Sequence, residues 1–219
     1  MSVKFWPLFD LRIHTPDLSL RPMAESDLEA VGDLLPADVD MDPAATTYEI
    51  SDQKTARAVI VCQSYWKAFG IWSPAAWRLN FVVHHNDRLI GVQELEGNDF
   101  LTLRTVDTAS FLAIEERGKG WGKQMRAGVL ALAFGELNAM AAITSAYHDN
   151  AASLGVSKAL GYLPNGQSFL ARGDGVDTLE HMRMTQADWQ ASRLGESVSI
   201  DGFEDCKTFF GIPARGSAE

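Results

Sequence analysis

Alternating and periodic apolar positions predict the first structural elements of the chain. Residues 18–22 alternate apolar and polar side chains with the two-residue period of a strand. A helix is predicted to begin near residues 26–29, and a second one runs from about Asp52 to Phe69 with Ser51 as its N-cap. The end of the second helix carries four aromatic residues, which are either core or one wall of a substrate pocket: Tyr65, Trp66, Phe69 and Trp72.

Runs of β-forming residues predict a sheet in the rest of the chain. Residues 80–85 and 89–96 are two such runs, and the turn-forming residues 86–88 between them are typical of a hairpin. Residues 107–114 and 141–147 are further strands. The last two predicted strands are residues 167–172 and 177–184, joined by Gly173-Asp174-Gly175.

Three more helices alternate with these strands. Apolar side chains recur at near-helical spacing over residues 120–137, directly after a cluster of glycines. A short helix is predicted over residues 151–160, and Gly161 suits the left-handed residue at its end. Thr185 is predicted to cap a final helix that continues through Trp189. Strands and helices mixed in this order predict one α/β (α+β) layer structure.

Three parts of the chain are predicted: an N-terminal extension over residues 1–17, one domain over residues 18–195 and a C-terminal tail over residues 196–219. A homodimer formed through the tail is a hypothesis. Four apolar residues predict that part of the tail packs on the domain or on a partner subunit: Phe203, Phe209, Phe210 and Ile212.

Composition excludes several classes of protein. The chain has 219 residues with 19 Lys and Arg against 29 Asp and Glu, a net charge of −10, which disfavours sequence-independent nucleic-acid binding. No stretch approaches the about 18 apolar residues of a membrane span, and residues 1–12 lack a signal-peptide core. Cys62 and Cys206 are far apart and match no metal-ligand spacing. A cytoplasmic protein with free thiols, no bound metal and no membrane or nucleic-acid partner is predicted.

The segment Arg117-Gly118-Lys119-Gly120-Trp121-Gly122-Lys123 carries the strongest chemical signal. Glycines let the backbone approach a ligand, and amide hydrogens at a helix start favour phosphate groups. Arg117, Lys119, Lys123 and Arg126 add four cations to an otherwise acidic chain. The alternative is that the glycines only form a tight turn between a strand and a helix.

Two familiar phosphate loops do not fit this segment. A Walker A loop needs a glycine where Arg117 stands and a serine or threonine where Gln124 stands. A dinucleotide-binding fingerprint needs a third glycine at the position of Lys123. The spacing therefore argues against ATP hydrolysis of the Walker type and against NAD binding.

Two motifs instead resemble those of one family. Arg117-x-x-Gly120-x-Gly122 is similar to the Gln/Arg-x-x-Gly-x-Gly/Ala motif that holds the coenzyme A pyrophosphate in the GNAT superfamily of acyl-CoA-dependent N-acyltransferases. Residues 150–162 resemble the Asn-x-x-Ser-x-x-Val-x-x-x-Leu-Gly-Phe/Tyr pattern of its RimJ/RimL-like branch, whose members acetylate protein amino termini. The likeness covers roughly residues 18–184. Residues 6–12 and 201–203 are also similar to an actinobacterial subgroup in which acyl groups longer than acetyl, including succinyl, can be used.

The resemblance implies a fold and a reaction. The implied GNAT fold is a mixed, mostly antiparallel sheet of six or seven strands, flanked by about four helices and splayed between the fourth and fifth strands. The implied reaction transfers an acyl group from acetyl-CoA or succinyl-CoA to a primary amine of a protein N-terminus, a lysine or a small molecule, by direct attack in a ternary complex. A non-catalytic acyl-CoA-binding or sensory module and a structural oligomerisation domain are the alternatives.

The resemblance also implies roles for individual residues. Splayed strands leave backbone amides free for the acyl oxygen, and Ser153 lies near the thioester sulfur, where it hydrogen-bonds or protonates the thiolate. Asn150 contacts the cofactor arm, although it is alternatively the N-cap of its helix and Ser153 an ordinary helix-face serine. Tyr162 is either a packed aromatic residue or the acid. The implied cofactor-binding residues are Leu112, Ala113 and Ile114 for the pantetheine arm, and Arg117, Gly118, Lys119, Gly120, Trp121, Gly122 and Lys123 for the pyrophosphate.

A carboxylate is the expected base, because the attacking amine must be neutral. At pH 7 deprotonation costs a lysine roughly 4 to 5 kcal/mol but an α-amino group only about 1 to 2 kcal/mol. Glu94 and Glu96 share one face of a strand, so both look into the cleft or both face solvent. Asp107 and Glu94 are the preferred candidates, and the alternative for each is a solvated or ion-paired carboxylate. His84 and His85 are adjacent in a strand and are not expected to act as a pair.

Overall fold

Within residues 4–42, 45–173 and 175–213, which the computed structural model describes, nine strands form one sheet. The strands are β1 (Arg12–His14), β2 (Ser19–Pro22), β3 (Trp77–His85), β4 (Arg88–Gly97), β5 (Thr105–Leu112), β6 (Ala141–Tyr147), β7 (Leu163–Arg172), β8 (Gly175–Thr185) and β9 (Ser199–Asp201). Their order across the sheet is β7-β8-β6-β5-β4-β3-β2-β1-β9. All neighbouring pairs among them are antiparallel except β5 and β6, which are parallel.

Helices pack on both faces of this sheet. Those in the described part of the chain are α1 (Leu28–Leu34), α2 (Gln53–Gly70), α3 (Phe100–Leu103), α4 (Trp121–Ala131), α5 (Ala151–Leu160) and α6 (Gln186–Ser192). Val82 and Val92 belong to a buried cluster with residues of α1 and α2. Phe81 and Leu95 belong to a second cluster with residues of α4. Neighbouring strand residues point to opposite faces, so α1 and α2 cover one face and α4 covers the other.

The predicted class, a mixed and mostly antiparallel α/β sheet, is confirmed. The predicted six or seven strands and about four helices are too few. The two additional strands, β1 and β9, have three residues each, and α3 has four. Elements this short repeat no apolar period, so a sequence pattern cannot reveal them.

The two ends of the chain meet at one edge of the sheet. β1 pairs with β2 on one side and with β9 on the other. Phe203 and Phe210 are buried, and Phe209 and Ile212 pack against the same core, so this part of the tail docks on its own chain. Residues 1–3 of the predicted extension, Asp174 of the predicted turn and residues 214–219 of the predicted tail lie outside the described residues.

The predicted helix boundaries are close to the observed ones. Asp52, not Ser51, caps α2, because its carboxylate accepts a hydrogen bond from the Thr55 amide at 2.8 Å. Thr185 caps α6 as predicted, and Thr185 Oγ1 accepts from the Asp188 amide at 3.2 Å. No helix in the described part of the chain is long and apolar enough to cross a membrane.

β5 and β6 separate partway along their length. Their ladder contains only three pairs and ends at Asp107 with Ile143. Just beyond this pair, Thr144 Oγ1 donates to the Thr108 carbonyl at 3.0 Å. A side-chain hydrogen bond therefore links the two strands where their backbone hydrogen bonds end. These are the fourth and fifth predicted strands, which become the fifth and sixth because β1 precedes them. The remainder of each strand borders an opening in the sheet.

Candidate active site

The glycine-rich turn presents free amides at the start of α4. Gly118 and Gly120 have φ angles of 75° and 88°, a region in which only glycine is unstrained, and a Cβ at either position would point into open space. Gly120 is the N-cap of α4. Among the described residues, no hydrogen-bond acceptor is found for the amides of Gly120, Trp121 and Gly122. Free amides and the helix dipole together give this turn the features that favour an anion.

Gly122 has a different role, because it lets α4 and α5 approach each other. A Cβ on Gly122 would lie 3.3 Å from Val156 Cγ2. The two sequence motifs, one on each helix, are therefore in direct contact. This contact fixes the position of α5 relative to the free amides of the turn.

A buried carboxylate organises the basic side chains of the turn. Glu116 is 5% exposed, and its carboxylate accepts from Lys119 Nζ at 3.0 Å and from Trp121 Nε1 at 3.3 Å. These hydrogen bonds hold the pKa of Glu116 below its usual value. The His85 ring lies against Trp121 with 4.6 Å between ring centroids, and Lys123 is exposed. Arg126, the fourth predicted cation, is buried and does not belong to this surface.

Residues 36–42 lie between α1 and α2, are called the strap below, and contact the glycine-rich turn. Arg117 forms a two-pronged ion pair with Asp38, with distances of 2.6 and 2.8 Å. Arg172 of β7 contacts Asp40 at 3.2 Å. Arg57 of α2 donates to two carbonyl oxygens of the strap. The strap is therefore held by three arginines from three different elements.

The three residues implied for the pantetheine arm differ in their surroundings. The Ala113 amide donates to the Ile90 carbonyl at 2.9 Å, and the Leu112 carbonyl accepts from Arg117 Nε at 3.3 Å. The Ile114 side chain is 64% exposed. Of this backbone segment, the amide of Ala113 and the carbonyl of Leu112 are thus already used within the chain.

Asn150 and Ser153 lie at the start of α5. Asn150 Oδ1 accepts from the Ser153 amide at 3.0 Å, so Asn150 is the N-cap of the helix. This leaves the Asn150 amide nitrogen for other partners. Ser153 is half-buried, and one turn later Ser157 Oγ donates to the Ser153 carbonyl at 3.0 Å.

Three carboxylates lie on the face of the sheet that α1 and α2 cover. Glu96 pairs with Asp107 across β4 and β5, and Glu94 lies two residues from Glu96 on the same face. Arg78 donates to Glu96 at 2.7 Å but is 3.6 Å from Glu94. Burial raises the pKa of Glu94 to about 7 and that of Asp107 to about 6. Both groups therefore exchange protons near neutral pH, as a general base must.

Two adjoining cavities open beside these carboxylates. The first, of about 390 Å³, is lined by Glu94, by Ser110 of the splayed part of β5 and by residues of the strap. The second, of about 580 Å³, is lined by Glu96 and by Trp66, so the aromatic end of α2 does form a cavity wall. Arg78 borders both cavities. Among the described residues, no three His, Cys, Asp or Glu side chains are grouped so that they could hold a metal ion.

Comparison with known proteins decides the family. The profile of the acetyltransferase (GNAT) domain matches residues 17–163. The chain belongs to the GNAT acetyltransferase family. Similar GNAT structures include RimJ of Mycobacterium smegmatis in complex with CoA-disulfide, with a TM-score of 0.64 and 16% identity over 88% of this chain and 98% of that one. A chimera of the spermidine N-acetyltransferase SpeG from Vibrio cholerae and hSSAT has a TM-score of 0.62 and 18% identity over 80% of this chain and 98% of that one.

Several residues around this GNAT cleft escape sequence analysis. Arg78, Asp38 and Gln93 belong to no motif, and their contacts lie across strands or between distant segments. Arg126 is visible in the sequence only as one of several cations. Of these residues, the sequence can point only to Arg78. The hairpin between β3 and β4 places Arg78 opposite Glu96 once its register is known.

Proposed function

We propose that this chain is an acyl-CoA-dependent N-acyltransferase that transfers an acetyl or succinyl group to a primary amine by direct attack in a ternary complex. The acceptor amine belongs to a protein N-terminus, a lysine or a small molecule. One observation carries the proposal: free amides at the start of α4 lie beside two strands that separate, and the separated strand lines a cavity that contains an ionisable carboxylate.

The proposed cofactor site follows from the free amides. The amides of residues 120–122 bind the CoA pyrophosphate, and Arg117, Lys119 and Lys123 neutralise its charge. The pantetheine arm runs past residues 112–114 and the Asn150 amide into the opening between β5 and β6. Unpaired backbone amides of β5 receive the thioester oxygen as negative charge develops on it.

Glu94 is the preferred base of the proposed reaction. Its side chain lines the smaller cavity, whereas Asp107 lies two residue pairs further along the ladder between β4 and β5, where β5 and β6 are still joined. Its raised pKa of about 7 matches the pH at which it must accept a proton from the amine. Asp107 is the second candidate. Ser153 hydrogen-bonds to the sulfur from the other side of the opening.

The charge of the smaller cavity favours a cationic acceptor. Asp40, Asp42 and Glu94 contribute three carboxylates to its lining, whereas Arg78 is the one cation among the described residues that line it. An ammonium group is therefore attracted to the base before it loses its proton. Trp66, which is 52% exposed, offers an aromatic face for the aliphatic part of such an acceptor.

The finer assignments belong to the same proposal. Residues 150–162 support a place in the RimJ/RimL-like branch, and residues 6–12 and 201–203 support the actinobacterial subgroup and a succinyl donor. Cys62 and Cys206 are unpaired, which supports a reducing compartment such as the bacterial cytoplasm. We also propose that the domain extends from residue 18 to residue 195. A homodimer is a further proposal, and sedimentation velocity tests it.

Release of free thiol from acetyl-CoA and succinyl-CoA, measured with a panel of amines, tests the function. The panel contains a peptide with a free N-terminus, an N-acetylated peptide with one lysine, and a polyamine. We expect turnover that depends on the amine, with an amide product of the matching mass. Tight CoA binding without amine-dependent turnover would instead identify a non-catalytic acyl-CoA-binding module.

The ion pair between Asp38 and Arg117 predicts a small gain in CoA affinity when it is removed. Arg117 must leave Asp38 to reach a pyrophosphate, and an exposed ion pair is worth about 0.2 to 1 kcal/mol. Asp38→Asn is therefore expected to tighten CoA binding by about 1.5- to 5-fold in calorimetry. Asp33→Asn, which breaks the exposed Asp33–Lys54 pair, is the control and should leave CoA affinity unchanged. Weaker binding by Asp38→Asn would mean that Asp38 positions Arg117 for the ligand.

A further inference from the structure

Arg126 is a buried cation that forms no direct ion pair with the described residues. It lies on α4, faces the sheet and is 3% exposed. Arg126 Nη1 donates to Ser157 Oγ at 2.7 Å, and Nη2 donates to Ser110 Oγ at 3.4 Å. Among the described residues its Nε has no hydrogen-bond partner. Burial lowers the pKa of Arg126, and the charge of Asp107 offsets this only in part. A buried guanidinium whose direct side-chain contacts are hydroxyl groups is costly, so this site favours the arrival of an anion.

One more buried polar atom beside this site is unpaired. Gln93 is the cross-strand partner of Ser110, and its Oε1 has no partner among the described residues. The Tyr162 hydroxyl is buried and interacts with Thr108 and with Arg126. Buried polar groups in folded proteins are nearly always satisfied. The unpaired Gln93 Oε1 and Arg126 Nε, on two neighbours of Ser110, therefore indicate a place that a ligand completes.

The position of Arg126 relates it to the opening in the sheet. Ser110 lies three residues beyond Asp107, where the ladder between β5 and β6 ends, and it also lines the smaller cavity. Ser157 lies one turn after Ser153 on α5. The guanidinium thus bridges the splayed strand and the helix that carries Ser153. It approaches the opening from the α4 face, opposite to the face that carries Glu94 and Asp107.

We propose that Arg126 is a catalytic residue that stabilises the CoA thiolate as it leaves, an inference that rests on the proposed function. The amine nitrogen attacks the thioester carbon, the carbon–sulfur bond breaks, and its electron pair remains on the sulfur. The amine proton passes to the carboxylate on the opposite face of the sheet. The sulfur leaves as an anion that faces the Arg126 guanidinium, so no proton has to reach it during bond cleavage.

Proton donors on the same side cannot replace this charge. An alcohol such as the Ser153 hydroxyl is a much weaker acid than a thiol. Burial raises the pKa of Tyr162 to about 12, whereas an ordinary thiol has a pKa of about 8.5. Proton transfer from either hydroxyl to a thiolate is therefore uphill. A guanidinium stays charged throughout and stabilises the thiolate without giving up a proton.

Titration of the bound CoA thiol tests the proposal directly. The ultraviolet absorbance of the thiolate, followed against pH with CoA bound to the wild-type protein, is expected to give a thiol pKa about 1 to 3 units below that of free CoA. Arg126→Gln should return the pKa to the free value, and Arg126→Lys should keep part of the shift. If the glutamine variant does not fold, the thiol pKa measured with the wild-type protein still tests the proposal.

Kinetics supply the second readout. Arg126→Gln is expected to lower kcat by about 10²- to 10³-fold with little change in the KM for acetyl-CoA, and Arg126→Lys should recover part of the loss. CoA binding with an unshifted thiol pKa would overturn the role of Arg126 and leave the proposed function intact, whereas absence of CoA binding would overturn both. Loss of succinyl-CoA turnover alone, with acetyl-CoA turnover retained, would show that Arg126 binds a carboxylate of the acyl group and not the thiolate. Unchanged kinetics with both donors would show a structural role only.

Discussion

Glu94→Gln is expected to lower kcat/KM for the amine by about 10²- to 10⁴-fold, the usual contribution of a general base. The carboxylate accepts a proton only when ionised, so the wild-type kcat/KM should rise with pH through the pKa of Glu94, about 7. Glutamine cannot accept a proton, so the variant should lose this rise. A pH profile of kcat/KM from pH 5 to 9 measures both effects.

Two further variants show whether the effect is specific. Glu136→Gln changes an exposed glutamate at the far end of the helix that continues α4 and should behave as the wild type. Asp107→Asn should shift the inflection without removing it if Glu94 is the base. If Asp107→Asn removes the rise and Glu94→Gln does not, then Asp107 is the base and the inflection should lie near its pKa of about 6. A pH profile that neither substitution alters would contradict a carboxylate base in this cavity.

Gly120→Val is expected to weaken CoA binding by at least about 100-fold, a loss of about 2.7 kcal/mol of binding free energy. The valine side chain would remove hydrogen bonds to a charged ligand and would also block its approach. The φ angle of 88° is unfavourable for any side chain, and a branched one would stand in the open space that we propose for the pyrophosphate. Calorimetric titration with CoA measures the loss.

Gly166→Val is the matched control for backbone strain. Gly166 has a φ angle of 102°, lies on β7, and a Cβ there would also meet open space. Both variants should therefore lose a similar free energy of unfolding, about 1 to 2 kcal/mol. Only Gly120→Val should lose CoA binding. Equal CoA affinity in the two variants would mean that the turn does not hold the pyrophosphate.

Periodicity predicts the long elements of this fold well, because each has one face in a core. The strand at residues 141–147 and the helix at residues 151–160 are observed with the predicted bounds. The hairpin turn is also readable, since Asn86 and Asp87 take the positive φ angles that such residues tolerate. β1 and β9 are not readable from their own residues, because they are strands only through pairing with each other and with β2.

Parts of the site that depend on neighbouring residues could be predicted from the sequence, whereas parts that depend on contacts between distant segments could not. The glycine-rich turn is local, so the spacing of Gly118 and Gly120 predicts its backbone. The choice between Glu94 and Glu96 is not local. The sequence places both on one face, and only the folded structure distinguishes them. Arg78 donates to Glu96 across the hairpin, and burial raises the pKa of Glu94 to about 7.

Calorimetric titration of the wild-type protein with coenzyme A, and in parallel with pantetheine, tests the central claim most directly. Pantetheine has the same arm and thiol but lacks the pyrophosphate. The free amides at the start of α4 predict saturable binding of coenzyme A at one site per chain and much weaker binding of pantetheine. No heat with coenzyme A, or equal affinity for the two compounds, would contradict a pyrophosphate site at residues 117–123.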